Sequence, residues 1–248
     1  PDDVKAKYNR SSLSTLLTSS APVRKQTKIK IMEFFPNARL FEAYGSTEAG
    51  LVTILRPDDQ MTKLGSVGRE CIGSDRIRIL DSIARKEVPD GEIGELFSSS
   101  PMMFTEYLKL PEKTAKSFNQ NYFSAGDMAK RDTDGYYYLV DRKDNMVITG
   151  GEKVFPSEIE EVITECPGVA EVAVIGVPHE VWGEAIHAVI VRSEDNNISE
   201  EQIMKHCSIR LANFKRPKSI CFVSSEEMPR TASGKILHRV LRERNREA

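Results

Sequence analysis

The sequence of 248 residues predicts an α/β segment, then a β-rich segment, then a small α+β domain. Three patterns support this prediction. Short apolar runs alternate with a helical period over residues 1–64, β-forming runs divided by turn signals fill residues 65–143, and helical and strand patterns are mixed over residues 144–248. A chain of this length can form more than one compact domain.

The first segment has the order strand, helix, strand. Residues 13–17 form an apolar run typical of a strand, residues 23–35 have the spacing of a basic amphipathic helix, and residues 39–43 predict a second strand. This order is typical of a parallel sheet, in which a helix connects two neighbouring strands.

The second segment has mainly strand signals. Its strands are predicted at residues 75–81, 92–98, 122–128 and 136–140. Pro89-Asp90-Gly91 and the run 132–135 are its clearest turns, because Gly, Pro and Asp suit tight reversals of the backbone. Residues 111–118 predict the one helix of this segment.

The third segment begins where local signals conflict. The strand-forming run 136–140 ends in the charged residues 141–144, and a second apolar run, 146–148, ends at Gly150 and Gly151. Each glycine loses more backbone entropy on folding than alanine would, which destabilises the folded state by about 0.5–1 kcal/mol. Such conflicts between local signals are typical of functional sites. This one predicts a hinge beside a ligand channel.

The rest of the third segment has ordinary start and stop signals. Pro156, with Ser157 and Glu160 in the spacing of a capping box, predicts the start of a helix that ends at residues 166–168. Further elements are predicted in this order: strands at 169–177 and 185–191, a helix capped by Ser199 and Gln202, a strand at 220–224, and a basic helix from Ile236.

The composition excludes several classes of protein. The 35 basic and 37 acidic residues give a net charge of −2, which argues against a nucleic-acid binder. The four cysteines are scattered without metal-site spacing, which favours free thiols in a reducing compartment. No apolar run approaches the roughly 18 residues of a membrane span, and no signal peptide is visible, so we expect a cytoplasmic protein.

Two short motifs carry side chains suited to nucleotide binding. Tyr44-Gly45-Ser46-Thr47-Glu48 offers a ring that can stack on a base, a glycine that lets backbone approach, a hydroxyl for phosphate and a carboxylate for Mg²⁺. Asp127, after Gly126, could accept hydrogen bonds from a ribose diol. Taken singly, each motif is more typical of an ordinary loop.

Two further loops carry distinctive side chains. Pro229-Arg230-Thr231-Ala232-Ser233-Gly234-Lys235 is not a Walker phosphate loop, because Pro229 and Ile236 stand where that motif needs glycine and Ser or Thr. Lys235 is either a solvated lysine or a point charge for a phosphate. The loop that contains Trp182 is more typical of packing than of catalysis.

Taken in order, these motifs resemble the core of the adenylate-forming superfamily, which includes acyl-CoA synthetases, firefly luciferase and the adenylation domains of peptide synthetases. The resemblance rests on five runs, which are residues 19–22 (SSAP), 44–48 (YGSTE), 124–127 (SAGD), 141–160 (DRKDNMVITGGEKVFPSEIE) and 229–235 (PRTASGK). Residues 94–118 also resemble the family's linking segment, although Ser100 stands where glycine is usual. The resemblance implies a partial adenylate-forming fold, with a β-barrel subdomain at residues 65–143 and a mobile domain from residue 144.

The family joins a carboxylic acid to AMP from Mg-ATP and then transfers the acyl group to a thiol. The residues that the resemblance places at the nucleotide are Ser20, Ala21, Pro22, Tyr44, Gly45, Ser46, Asp127 and Arg142. Thr47 would contact phosphate, Glu48 would hold Mg²⁺, and Lys235 would stabilise charge that develops during adenylation. Gly50 and Leu51 would line the acyl pocket.

For the second step the resemblance implies that the C-terminal domain rotates about a hinge at Asp144. Lys235 would then leave, and Gly150, Gly151 and Glu152 would line the channel for the pantetheine arm of CoA. Glycines suit that role, because a β-carbon would narrow the passage.

The resemblance covers the C-terminal half of a synthetase. We expect the family's phosphate loop and most of the acyl pocket to lie upstream of Pro1, so that the chain alone does not complete adenylation. The expected partners are a carboxylic acid, ATP, CoA and the N-terminal half of the same enzyme. Loading of a carrier protein and a non-catalytic binding module stay open as alternatives, and intact Glu48, Asp127, Arg142 and Lys235 argue against the second.

Overall fold

The structure is a computed structural model that describes residues 7–20, 23, 25–194, 197–232 and 234–245. The chain divides into two compact units, residues 1–139 and residues 140–248. The division falls four residues before the predicted start of the C-terminal domain at residue 144, and it lies inside a strand. The predicted separation of residues 1–64 from 65–143 stays a prediction.

The first unit begins with a four-stranded sheet. Its elements are β1 (Thr15–Thr18), α1 (Lys25–Phe34), β2 (Arg39–Ser46), β3 (Gly50–Leu55) and β4 (Arg69–Glu70). Strands β1 and β2 are parallel, as the strand–helix–strand pattern predicts, and α1 connects them. Strands β3 and β4 are antiparallel to their neighbours, so the expectation of a parallel sheet is wrong for this half.

Helix α1 is held against β2 by a buried ion pair. Lys28 on α1 and Glu42 on β2 are both buried and in direct contact. Removing either partner would leave an unpaired charge in the interior, which destabilises strongly. The pair therefore fixes β2, whose end carries Tyr44, relative to α1.

A second sheet of four strands completes most of the first unit. The elements that follow β4 are β5 (Arg78–Leu80), β6 (Gly94–Phe97), α2 (Pro111–Ser117), β7 (Phe118–Asn119), β8 (Tyr122–Phe123), β9 (Asp127–Arg131) and β10 (Tyr137–Arg142). The strand order is β10-β9-β6-β5, and β7 and β8 form a separate hairpin. Within the described ranges these strands do not close into a barrel, so the predicted β-barrel is wrong. The single predicted strand at 122–128 is two strands, because residues 124–126 turn the backbone between them.

The second unit is an α+β domain, as predicted. Its elements are β11 (Val147–Thr149), β12 (Glu152–Val154), α3 (Pro156–Thr164), β13 (Val169–His179), β14 (Gly183–Arg192), α4 (Glu200–Arg210), β15 (Ser219–Val223) and α5 (His238–Arg244). The sheet order is β12-β11-β14-β13, with β15 parallel to β14. The strand β12 has no counterpart in the sequence analysis, because three residues between Gly151 and Pro156 give no periodic signal.

Alternating residues of β13 and β14 supply two cores, one on each face of this sheet. Val172 and Val174 face a core that includes Ile159 and Ile163 of α3. On the opposite face the packed residues are Ala173, Ile175, Val189, Val191, Met228 and Leu241. This second core supports the loop before α5.

The helix starts differ in how well the sequence predicts them. Ser199 and Gln202 form the predicted capping box of α4. The capping box predicted for Ser157 and Glu160 is wrong, because Phe155 occupies the N-cap position of α3 and Ser157 lies inside the helix. The final helix starts at His238, two residues after the predicted Ile236, which pairs with Arg230 in an isolated bridge. The longest described helix, α4, has 11 residues, and none of the described helices reaches the length and hydropathy of a membrane span.

Candidate functional site

The first group of candidate residues lies on the hairpin between β2 and β3. Tyr44, Gly45 and Ser46 are the last three residues of β2, which continues beyond the predicted strand end. Ser46 Oγ accepts a hydrogen bond from Ala49 N at 3.0 Å and closes the turn. A Cβ on Gly45 would lie 2.1 Å from the carbonyl oxygen of Gly50, so only glycine lets the two strands approach this closely.

The linking segment holds this turn from outside. Phe104 N donates to the carbonyl oxygen of Glu48 at 2.8 Å, and Tyr107 OH donates to Glu48 Oε1 at 2.8 Å. Ser100 Oγ donates to the carbonyl oxygen of Ala49 at 3.3 Å, a bond that a glycine at this position could not make. Sequence reasoning missed Tyr107, and its position in the linking segment that resembles the family was the available signal.

Tyr44 and Asp127, 83 residues apart, meet directly. Tyr44 OH donates to Asp127 Oδ2 at 2.6 Å. Asp127 begins β9, and the turn before it is shaped by Gly126, whose φ is +84° and whose N–H donates to Ser124 Oγ at 3.0 Å. The fold thus joins two motifs that are unremarkable singly, and it places a phenol and a carboxylate at one partly exposed point.

Other candidates of the first unit lie around this hairpin or at the end of β1. Thr47 is exposed at the tip of the turn, and Leu51 pairs with Gly45 across the hairpin. A Cβ on Gly50, where φ is +71°, would lie 2.7 Å from Met102 Cβ. Ser20 follows β1 with a φ of +73°. Ala21 and Pro22 lie outside the described residues.

In the second unit, the first two of the charged residues 141–144 belong to a strand, and the other two begin a short turn. Asp141 and Arg142 are the last residues of β10, and Asp144 is exposed in a short 3₁₀ turn, Lys143–Asn145. Asp141 Oδ2 accepts from Ser157 N at 2.9 Å, which supplies the cap that the side chain of Ser157 does not. Asp141 Oδ1 accepts from Asn145 Nδ2 at 2.9 Å.

Gly150 and Gly151 form a two-residue turn between β11 and β12, hereafter the glycine turn. Their φ values are +58° and +87°, a left-handed pair that glycine adopts without strain. Gly150 N donates to the carbonyl oxygen of Trp182 at 3.0 Å, so the loop between β13 and β14 supports the turn. Glu152 is exposed and pairs with Thr149 at the base of the hairpin.

Trp182 has more contact with the glycine turn than the sequence predicts. Its ring stacks on His179 with centroids 4.2 Å apart, Lys218 Nζ lies 4.9 Å from its centre, and the residue is 38% exposed. The signal available in the sequence was a tryptophan followed by glycine in a short hairpin loop. The indole ring thus offers an aromatic surface beside the glycine turn, whose two residues have no side chains.

Lys235 lies in the loop before α5, residues 229–232 and 234–237, hereafter the lysine loop; Ser233 lies outside the described residues. Lys235 and Gly234 are exposed at its tip, and Gly234 has a φ of +86°. Thr231 N donates to the carbonyl oxygen of Lys235 at 2.8 Å, and Lys235 N donates to Thr231 Oγ1 at 3.1 Å. The loop therefore presents its lysine on a closed backbone turn.

The cysteines lie in surroundings that lower the reactivity of a thiol. All four are free. Burial raises the pKa of Cys71, Cys166 and Cys221, and it raises the pKa of Cys207 to about 11. A thiol with a raised pKa is poorly nucleophilic at neutral pH, since the thiolate is the reactive form. This agrees with the prediction of free, structural thiols.

Family models match most of the chain. The AMP-binding enzyme model matches residues 2–108, and the AMP-binding enzyme C-terminal domain model matches residues 158–235. The first contains the β2–β3 hairpin, and the second ends at Lys235.

Individual relatives and solved structures agree with these matches. The long-chain-fatty-acid–CoA ligase FadD13 of Mycobacterium tuberculosis is 42% identical over 229 residues, which are 92% of this chain and 44% of that ligase. ATP-bound MatB of Rhodopseudomonas palustris has a TM-score of 0.85 at 37% identity, covering 93% of this chain and 45% of MatB. The o-succinylbenzoate CoA synthetase MenE of Bacillus subtilis, in complex with its acyl-adenylate, has a TM-score of 0.85 at 28% identity, covering 97% of this chain and 48% of MenE. The chain spans less than half the length of each.

Proposed function

Because the chain belongs to the AMP-binding enzyme family, we propose that it is the C-terminal part of an ATP-dependent acyl-CoA synthetase. The reaction would convert a carboxylic acid, ATP and CoA into an acyl-CoA, AMP and pyrophosphate through an acyl-AMP. The observation that carries the proposal is the 2.6 Å hydrogen bond between Tyr44 and Asp127, which joins the predicted base-binding and ribose-binding motifs at one point. The names of the relatives, acid–CoA ligases among them, support the acid–thiol class.

The proposed nucleotide contacts follow the geometry of the β2–β3 hairpin. Tyr44 would stack on adenine with its hydroxyl held by Asp127, and the carboxylate of Asp127 would bind the ribose with Arg142. Gly45 and Ser46 would line the adenine pocket together with Ser20. The resemblance assigns Ala21 and Pro22, which lie outside the described residues, to the same pocket. Thr47 is exposed at the turn, where its hydroxyl could donate to a phosphate oxygen.

Glu48 fits a Mg²⁺ ion that arrives with the nucleotide. Its carboxylate is half-buried and oriented by Tyr107 OH, and carboxylate oxygen is a preferred Mg²⁺ ligand. The described residues contain no cluster of three His, Cys, Asp or Glu that could hold a metal by themselves. One carboxylate together with substrate phosphates is a common mode of Mg²⁺ binding, and the ion would neutralise phosphate charge.

The second unit would act in both steps. Lys235 would contact the carboxylate and α-phosphate during adenylation, where a positioned cation stabilises developing charge. After rotation at Asp144, the glycine turn and Glu152 would border the pantetheine arm of CoA. Gly50 and Leu51 would border the acyl group. Since the chain spans 44% of FadD13, we propose that it completes neither step without the rest of the enzyme.

Separate assays of the two half-reactions test this proposal in the full-length polypeptide that contains this chain. Lys235→Ala should abolish acid-dependent exchange of pyrophosphate with ATP while keeping thioester formation from supplied acyl-AMP and CoA. Gly151→Phe should do the reverse. Lys205→Ala, which removes an exposed lysine on α4, is the matched control and should leave both rates unchanged. Equal loss of both half-reactions in both variants would contradict the two-step assignment.

The acceptor is tested in the same experiment. CoA and a carrier protein bearing phosphopantetheine are supplied as alternative thiols for the acyl-AMP. The proposal expects release of AMP with CoA. Release only with the carrier protein would favour a loading enzyme, and no release with either would favour a non-catalytic binding module.

A further inference from the structure

We propose that Arg230 and Glu171 are positioning residues for Lys235: their ion pair, supported by the contact of His238 with Glu160, fixes the lysine loop within the second unit. This inference rests on the proposed function, in which Lys235 contacts substrate during adenylation. It adds that the loop does not deliver the lysine by its own flexibility.

The backbone of the lysine loop is closed at its base. Leu237 N donates to the carbonyl oxygen of Pro229 at 2.9 Å, and Arg230 pairs with Ile236 in an antiparallel bridge. Ile236 also packs against the core that contains Leu241. The two ends of the loop therefore leave the domain side by side, like a small hairpin.

Arg230 links this base to both the sheet and the tip. Its Nη2 contacts Glu171 Oε2 directly, and its Nη1 donates to the carbonyl oxygen of Gly234 at 3.5 Å. Glu171 lies on β13, on the same face as Ala173 and Ile175. A single guanidinium thus connects the sheet to the residue immediately before Lys235, and a planar fork of donors suits such a double contact.

A second contact holds the other end of the loop. His238 Nε2 lies 2.8 Å from Glu160 Oε1, and the same oxygen accepts from Val174 N at 2.8 Å. Strand β13 is at the edge of its sheet, so Glu160 supplies the acceptor that a neighbouring strand would otherwise provide. Glu171 of β13 therefore holds the loop before Lys235, through Arg230. Glu160 of α3 holds it after Lys235, through His238.

Fixed ends matter because the working side chain is exposed. A lysine side chain on a mobile loop would spread its ammonium over many positions, whereas charge stabilisation needs it at one. A misplacement of about 1 Å can reduce a rate about 10²-fold. Arg230 and Glu171 restrict the backbone from which Lys235 extends, so the ammonium samples a smaller volume than it would on a mobile loop.

The test uses the full-length polypeptide with Glu171→Gln, Arg230→Met, the charge-swapped pair Glu171→Arg with Arg230→Glu, and Lys235→Ala. The first two should lower kcat for pyrophosphate exchange by about 10- to 100-fold, with a fatty or aryl acid chosen from a panel. KM for ATP and thioester formation from supplied acyl-AMP should stay unchanged. The charge-swapped protein should regain part of the exchange rate, which a loss of packing would not predict.

The exposed pair Arg239–Glu243, at 2.7 Å on α5, is the matched control. Glu243→Gln should leave both half-reactions unchanged. Normal exchange in Glu171→Gln and Arg230→Met beside a defective Lys235→Ala would overturn this inference and leave the proposed function intact. Normal exchange in Lys235→Ala would overturn both.

Folding of the variants is checked by circular dichroism and by amide exchange of residues 229–237. Equal loss of both half-reactions in a folded Glu171→Gln protein would show a general role and would also overturn the inference. Should the single variants not fold, Arg230→Lys decides, because it keeps the charge but loses the second contact with Gly234. Parental exchange in Arg230→Lys would then contradict positioning by Arg230, and a selective loss of exchange would support it.

Discussion

Replacing Asp141 by alanine should destabilise the second unit by about 2–3 kcal/mol. The carboxylate accepts from Ser157 N at 2.9 Å and from Asn145 Nδ2 at 2.9 Å. The first bond is a helix cap, typically worth about 1 kcal/mol. The second is a hydrogen bond to a charged group, for which about 1.5–3 kcal/mol is usual, and part exposure places it at the lower end. Asp141→Asn keeps one acceptor and should lose about half as much.

Native-state hydrogen exchange measures this change in the second unit alone, which matters because a chain with two units need not unfold in one transition. The buried amides of β13 report the free energy of unfolding, and Ser157 N reports the loss of the cap. Asp144→Ala, three residues away in an exposed turn, is the control and should change stability by less than about 0.5 kcal/mol. A loss in Asp141→Ala as small as in this control would refute the capping role.

Three further substitutions have definite expected results. Gly45→Ala should lower the free energy of unfolding of the first unit by more than about 1 kcal/mol in urea denaturation, because its Cβ would meet the Gly50 carbonyl at 2.1 Å; an unchanged midpoint would contradict this close approach. His187→Gln should flatten the pH dependence of stability below pH 6.5. Burial lowers the pKa of His187 from its ordinary value of 6.5, so the unfolded state binds a proton at a higher pH than the folded state does. The free energy of unfolding therefore falls as pH decreases from 6.5 through the folded pKa. Equal slopes for both proteins in denaturation series over that range would exclude this contribution. Replacing Gly151 by valine should destabilise the β11–β12 hairpin, since its φ is +87°, and faster amide exchange in residues 147–154 should report it.

Elements with strong local signals were predictable. The capping box of Ser199 and Gln202, the helix at Pro111–Ser117 and the parallel pairing of β1 with β2 all follow from short patterns, and the structure confirms them. The predicted start of α3 was right in place but wrong in mechanism. The cap comes from Asp141, 16 residues earlier, and nothing in the local sequence indicates which distant carboxylate will fold back onto the helix.

The sequence indicated some residues of the candidate site, but not the contacts between them. The side chains of the β2–β3 hairpin could be selected from one short run, because their chemistry is visible without structure. The contact of Tyr44 with Asp127 depends on how β2 and β9 approach across two sheets, which no local pattern encodes. Tyr107 was missed because its position in the linking segment indicated the segment but not its partner, and only the structure shows its hydroxyl at Glu48. The second sheet shows a different kind of error. The resemblance predicted a β-barrel, whereas the described strands pair as an open sheet.

The position of Trp182 makes the second unit its own fluorescent reporter. It is the only tryptophan of the 248 residues, so the intrinsic tryptophan emission of the chain comes from one known place. Its ring is partly exposed and stacked on His179, and its carbonyl oxygen binds the glycine turn. A molecule that binds against that turn would change the polarity around the indole and therefore shift its emission. Ligand titrations at the glycine turn can therefore be followed in the unlabelled protein.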